Sequence, residues 1–246
     1  MKKILILHGW GSCAKNWKKV KEILESKRIE VILPDLPGFG KNQKVNSPLT
    51  TLDYVDWVKR FIKEKLNSNF FLLGHSFGGK IAVNIMAQMP EKVCGLILVA
   101  PAIFATKKTM KRKILKFFAK KYHSILKPFL KIKILQKIFN FSRKILYIYL
   151  LKNPYYLKLT PPMKKTFENV NKEDFSHLLP KIKCKSLLIF GKNDSLIPLR
   201  EINLIKEQIP NCELKILPRV GHSPNLQIPE KLAKMIIEFI KYEKKE

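Results

Sequence analysis

Three residues of this 246-residue chain, Ser76, Asp194 and His222, have the side-chain types that nucleophilic acyl transfer needs. A serine hydroxyl is a weak nucleophile at neutral pH. It becomes effective when a base can take its proton and an acid can orient that base. Ser76 lies at the apex of Gly74-His75-Ser76-Phe77-Gly78-Gly79, directly after the apolar run Phe70-Phe71-Leu72-Leu73. Strand, sharp turn and helix is the context in which a G-x-S-x-G pattern becomes a nucleophile elbow. Residues 80–89 (KIAVNIMAQM) read as a mostly apolar helix closed by Pro90, which puts Ser76 Oγ near the positive end of that helix.

The acid and the base follow in the second half of the chain. The buried-strand run Leu187-Leu188-Ile189-Phe190 leads into Gly191-Lys192-Asn193-Asp194, and the alternating strand Leu214-Lys215-Ile216-Leu217 leads to Gly221-His222-Ser223-Pro224. Each candidate therefore falls just past the C-terminal end of a strand, where open α/β sheets keep their sites. Acyl transfer also builds an oxyanion, which donors fixed in advance stabilise better than mobile water does. The backbone N–H groups of Phe77, next to the serine, and of Trp10, in the His8-Gly9-Trp10-Gly11 loop after the strand Lys3-Ile4-Leu5-Ile6-Leu7, are the expected donors.

These residues need a framework of parallel strands. Strands alternate with helical patterns from Lys3 to Val99, which favours a parallel sheet flanked by helices, and 246 residues bury an ample core. The apolar part of the N-terminus, Ile4 to Leu7, is too short for a secretion signal and reads as a first strand. No apolar run approaches bilayer length. Cys13, Cys94, Cys184 and Cys212 lack the paired spacing of zinc or redox sites and are expected to be free thiols, which suits a cytoplasmic location.

With HGWG at 8–11, DLPGFG at 35–40, GHSFGG at 74–79, GKNDSLIP at 191–198 and GHSP at 221–224, the chain resembles the α/β-hydrolase superfamily along nearly its whole length. The chain order serine, aspartate, histidine is the one this fold uses. HGWG, Trp17 and DLPGFG look most like the carboxylesterases that demethylate pimeloyl-acyl-carrier-protein ester, and they are also similar to hydrolases that cleave carbon–carbon bonds of ring-fission products. Lys41-Asn42-Gln43 stands where a serine commonly follows DLPGFG by one residue. A serine at the elbow argues against dehalogenases and epoxide hydrolases of this fold, which carry aspartate there. The resemblance implies a serine hydrolase of a carboxylic ester or thioester, acting through an acyl-enzyme and requiring neither metal nor organic cofactor. The alternatives are a carbon–carbon bond hydrolase, which would want a fixed cation facing Ser76, and, more distantly, a non-catalytic binding protein.

The resemblance also implies a lid inserted after the strand Leu96-Ile97-Leu98-Val99. Ile114, Phe117 or Phe118, Lys121 and Ile125 recur at helical spacing, as do Ile134, Leu135, Ile138 and Phe141. The expected division is a core of residues 1–101 and 180–246 with a helical cap over 102–179, broken at Pro128, Pro154 and Pro161-Pro162. From Lys92 through Phe167 there is no Asp or Glu, and this region carries much of a net charge of +29. A basic cap suits an acidic carrier protein or an anionic membrane surface, whereas nucleic-acid binding has charge but no recognisable module behind it. General lysine preference is the plain alternative, yet acids persist elsewhere in the chain. Of the remaining polar residues, His8 is expected to support the oxyanion loop and His75 the elbow. Asp35 and Asn193 are expected to hold turns, Trp17 and Trp57 to anchor the core, and His123 and His177 to have surface or packing roles.

Overall fold

The computed structural model describes residues 1–106 and 159–242, and helices are numbered along those residues. Among them six parallel strands form one sheet in the order β2-β1-β3-β4-β5-β6. The strands are β1 (Lys2–Leu7), β2 (Ile29–Ile32), β3 (Phe70–His75), β4 (Val93–Val99), β5 (Ser186–Gly191) and β6 (Cys212–Leu217). The helices are α1 (Lys18–Ser26), α2 (Thr51–Lys65), α3 (Phe77–Gln88), α4 (Pro161–Lys172), α5 (Leu199–Gln208), α6 (Pro224–Gln227) and α7 (Pro229–Tyr242).

The strands read as continuous apolar runs because both faces of the sheet are covered. Leu5, Leu7, Leu72, Leu96 and Leu98 point into a core shared with Val55, Val58 and Ile62 of α2 and Ile81 and Ile85 of α3. Their neighbours Ile4, Ile6, Phe71, Leu73, Ile97 and Val99 point the other way, onto Val20 and Leu24 of α1 and Leu232, Ile236 and Phe239 of α7. Local signals agree with this packing. Thr50 caps α2 with its hydroxyl on the Asp53 N–H while the Asp53 carboxylate accepts from the Thr50 N–H, a reciprocal capping box.

The strand order changes direction beside β1: β2 lies on one side of it and β3 on the other. A crevice opens at such a switch point above the C-terminal strand ends, so the loop after β1 and the turn after β3 face each other there. The sheet expected from the sequence, parallel and flanked by helices, is the one observed. The elbow helix starts at Phe77 rather than Lys80, because the serine itself is the residue that precedes its first turn.

The insertion between β4 and β5 is described only at its two ends. Ile103, Met163, Val170 and Leu179 belong to the same buried cluster as α2 and α3, and Pro161-Pro162 start α4 rather than interrupting it. The helical patterns expected around 114–125 and 134–141, the break at Pro128 and at Pro154, and His123 lie outside the described residues.

Candidate active site

Ser76 has φ 51° and ψ −116°, a conformation that side chains rarely adopt and that the surroundings must enforce. Its N–H donates to the Val99 carbonyl at 3.0 Å, and its own carbonyl accepts from Gly79 N–H at 2.9 Å and Ala102 N–H at 3.0 Å. Two glycines make the bend sterically possible. A Cβ on Gly78 would overlap the carbonyls of Leu7 and His8, and one on Gly74 would collide with the backbone of Gly78 and Gly79. Helix α3 thus lies directly on the end of β1, a closeness only glycine permits.

The three residues singled out from the sequence meet above the strand ends. His222 Nε2 is 2.9 Å from Ser76 Oγ, and His222 Nδ1 is 2.8 Å from Asp194 Oδ2. The carboxylate can only accept, so Nδ1 carries the proton and Nε2 presents a lone pair to the serine hydroxyl. The Asp194 side chain is 0 % exposed and that of His222 is 19 % exposed, so water reaches the imidazole but not the acid. Burial alone would raise the Asp194 pKa. The bond from His222, its charge, and the N–H groups of Leu196 (2.7 Å) and Ile197 (3.1 Å) on Oδ1 outweigh that and hold the carboxyl below its ordinary value.

The supporting loops are fixed by side chains the sequence had pointed to. His8 Nδ1 donates to the Gly9 carbonyl at 2.9 Å while Nε2 accepts from Leu36 N–H at 3.0 Å; burial keeps its pKa low, so this is the neutral ring. Asp35 ties two loops together, with Oδ1 accepting from Ala14 N–H at 2.6 Å and Oδ2 from Lys41 N–H at 2.9 Å. Asn193 N–H donates to Val220 O at 2.8 Å, joining the loop of Asp194 to the loop of His222. Trp17 is buried, and Trp57 stacks on Phe61 at 5.5 Å. His177 is exposed, and none of the four cysteines is in a disulfide.

Phe77 follows Ser76 in the chain, and Trp10 follows Gly9, which passes close to the serine. A Cβ on Gly9 would lie 3.0 Å from Ser76 Cβ, which measures how closely the loop after β1 passes the serine. Phe77 is the first residue of α3, whose N–H has no intrahelical acceptor. The Trp10 ring packs edge-on against Phe39 at 5.0 Å and Phe77 at 5.7 Å, and at a tilt against Phe167 of α4 at 5.1 Å. An aromatic cluster, to which the inserted segment contributes Phe167, therefore packs around the residue that follows Gly9.

Two further contacts tie distant parts of the chain to the elbow. Lys80, on the apolar helix α3, is 3 % exposed and donates from Nζ to Val170 O at 2.8 Å and Glu173 O at 2.7 Å, at the C-terminal end of α4. A lone lysine within KIAVNIMAQM was the available signal. The His75 ring bonds the main chain of His222, a partner 147 residues away that no local pattern names. Among the described residues, no three His, Cys, Asp or Glu side chains converge as metal ligands would, and no helix is long and apolar enough to cross a membrane.

The strand order and the serine on its strained turn define an α/β-hydrolase. The family model described as serine aminopeptidase, S33, matches residues 1–226, and the chain belongs to that hydrolase family. It is 32 % identical over 253 residues to the pimeloyl-[acyl-carrier protein] methyl ester esterase of Wigglesworthia glossinidia brevipalpis, covering 97 % of this chain and 93 % of the relative. It is also 24 % identical to the monoacylglycerol lipase ABHD6 of Rattus norvegicus, covering 96 % of this chain and 74 % of that one. In structure it resembles an esterase from Exiguobacterium antarcticum with a TM-score of 0.74, at 22 % identity over 98 % of this chain and 92 % of that one. The protein is an enzyme of the hydrolase class that cleaves esters. These relatives do not favour carbon–carbon bond cleavage.

Proposed function

We propose that the protein is a serine esterase in which Ser76 is the nucleophile, His222 the general base and acid, and Asp194 the residue that orients the imidazole. The observation that carries this reading is the unbroken hydrogen-bonded line from Asp194 Oδ2 through His222 to Ser76 Oγ, with both links under 3 Å. His222 Nε2 takes the Ser76 proton as Oγ attacks the ester carbonyl, while Asp194 stabilises the imidazolium that forms. The oxyanion accepts from the backbone N–H groups of Trp10 and Phe77, donors whose position is set by folding and costs nothing at the moment of reaction. Collapse of the tetrahedral species expels the alcohol with a proton from His222. Water, activated by the same imidazole, then hydrolyses the acyl-enzyme and restores serine and histidine.

The substrate reading is a carboxylic ester or thioester with an apolar acyl group, supported by the aromatic cluster of Trp10, Phe39, Phe77 and Phe167. A carrier-protein-bound ester is the specific form, supported by the acid-free basic stretch from Lys92 to Phe167 and by the carrier-protein substrate in the name of the Wigglesworthia relative. In this reading residues 102–179 form the cap and residues 1–101 and 180–246 the core.

A fluorophosphonate probe should label Ser76, and a p-nitrophenyl ester series of increasing acyl length should size the pocket. Ser76→Ala should lower kcat by about 10⁶-fold, as loss of a triad nucleophile does, with circular dichroism unchanged. Comparable turnover by that folded variant would refute the assignment.

A further inference from the structure

His75 is the last residue of β3 and is 5 % exposed, an imidazole packed where an apolar side chain would serve the sheet as well. Its Nε2 lies 2.9 Å from the main-chain carbonyl of His222. A carbonyl accepts, so Nε2 carries the proton. Nδ1 has no hydrogen-bond partner and faces the backbone of Gly9, where an added Cβ would lie 3.0 Å away. Only one tautomer meets these contacts, and it is the neutral one. The ring is further confined by Trp17, with centroids 5.8 Å apart, and by the His222 ring at 5.3 Å.

We infer that His75 is a positioning residue for the ester-cleaving site, holding His222 by its main chain while the adjacent Ser76 holds it by its side chain. This rests on the roles proposed above for Ser76 and His222. His222 sits in the loop after β6, three strands away from β3, and a loop at that distance gains no register from the sheet. A bond from the residue beside the nucleophile fixes the base relative to the very turn that presents the serine. Ser76 and Asp194 hold the two ring nitrogens, and the bond from His75 adds the one attachment that fixes the main chain from which the imidazole hangs. Rate is steeply sensitive to such placement; an error of about 1 Å can cost about 10²-fold.

Charge agrees with this geometry. Burial, and the nearby His222, push the His75 pKa down to about 4 against the weaker opposing pull of its bond to His222 O and of Asp194, with His8 adding slightly to the depression. The ring therefore adds no positive charge beside a base that must itself accept a proton.

The test separates a donor at one place from mere filling of space. Glutamine carries an N–H near the position of imidazole Nε2, asparagine near that of Nδ1, and leucine carries none. With p-nitrophenyl butyrate, His75→Gln should keep kcat within about threefold of the parent. His75→Asn and His75→Leu should lose about tenfold or more in kcat with KM within about twofold, the split expected when placement of the base rather than binding is damaged. Melting temperatures of the three variants identify any that fail to fold, and the comparison is made between the folded ones. Equal kcat for glutamine and leucine, or kcat that tracks melting temperature instead of the donor, would overturn the inference. Ser76→Ala is run alongside: turnover by that variant would remove the proposed site altogether, whereas a dead Ser76→Ala with indifferent His75 variants would remove only the role of His75.

Discussion

Ser76 is held in its unusual conformation by hydrogen bonds from both directions, and its neighbours have to be small for that to hold. Gly9 makes the point most directly. A methyl group there would stand 3.0 Å from both Ser76 Cβ and His75 Nδ1, closer than side chains normally approach, and neither neighbour is free to move. Gly9→Ala should therefore lower stability by about 1–3 kcal/mol, the usual cost of overpacking. It should also reduce ester turnover at least tenfold by displacing the Trp10 N–H, the donor proposed for the oxyanion. Urea unfolding and kcat measured on the same preparation check both, and a variant as stable and as active as the parent would contradict the close approach. At Asp194 the same economy of placement appears: one oxygen serves His222 and the other is occupied by two backbone N–H groups, so the carboxylate cannot rotate away from its base.

Among the helices, α3 has two duties. Its first residues present the serine, and one turn later Lys80 reaches the carbonyls of Val170 and Glu173 at the end of α4. Those carbonyls lack intrahelical partners, and a cation at a helix C-terminus also complements the dipole. Helix α4 in turn brings Phe167 onto Trp10, so the lysine couples the stem of the insertion to that aromatic cluster. Burial pushes the Lys80 pKa down from 10.5 to about 8, against the weaker attraction of Glu173, Asp174 and Glu201. Between about pH 8 and 10.5 the unfolded chain keeps this proton while the folded protein loses it, so the contribution of Lys80 to stability rises with pH across that window. The total rise is at most about 3 kcal/mol. Lys80→Met should flatten that rise in urea titrations at pH 7.5, 9 and 10, and an unchanged pH dependence would show that Lys80 titrates normally. The thermal unfolding of the variant should also report the loss of two hydrogen bonds to buried carbonyls, about 1–3 kcal/mol.

For the whole molecule, the leading quantity is a net charge of +29, with no acid between Lys92 and Phe167. Such a field speeds encounter with an acidic partner and is screened by salt, whereas a neutral small ester feels little of it. If the natural substrate is carried by an acidic protein, kcat/KM for that ester should fall several-fold, about tenfold at most, between 50 and 500 mM NaCl, while hydrolysis of p-nitrophenyl butyrate stays flat. Flat rates for both would remove carrier-protein docking from the proposal. Ionic strength thus separates the chemistry of the site from the recruitment of its substrate.

The features legible in the order of residues were local ones. Apolar runs ending in Gly74, Gly191 and the Arg219-Val220-Gly221 turn marked where strands stop. Strand type and parallel order, and the placing of Ser76, Asp194 and His222 just past strand ends, could be read because each depends on a few neighbouring residues. Tertiary structure alone decided which distant groups meet. Nothing in the order of residues says that the His75 ring reaches the His222 carbonyl, that Lys80 closes the end of α4, or that Phe167 lies against Trp10. The reason is physical: pattern and propensity report the balance of forces within a turn or two of chain, whereas these contacts depend on how a six-stranded sheet orders its strands and on what its two faces bury.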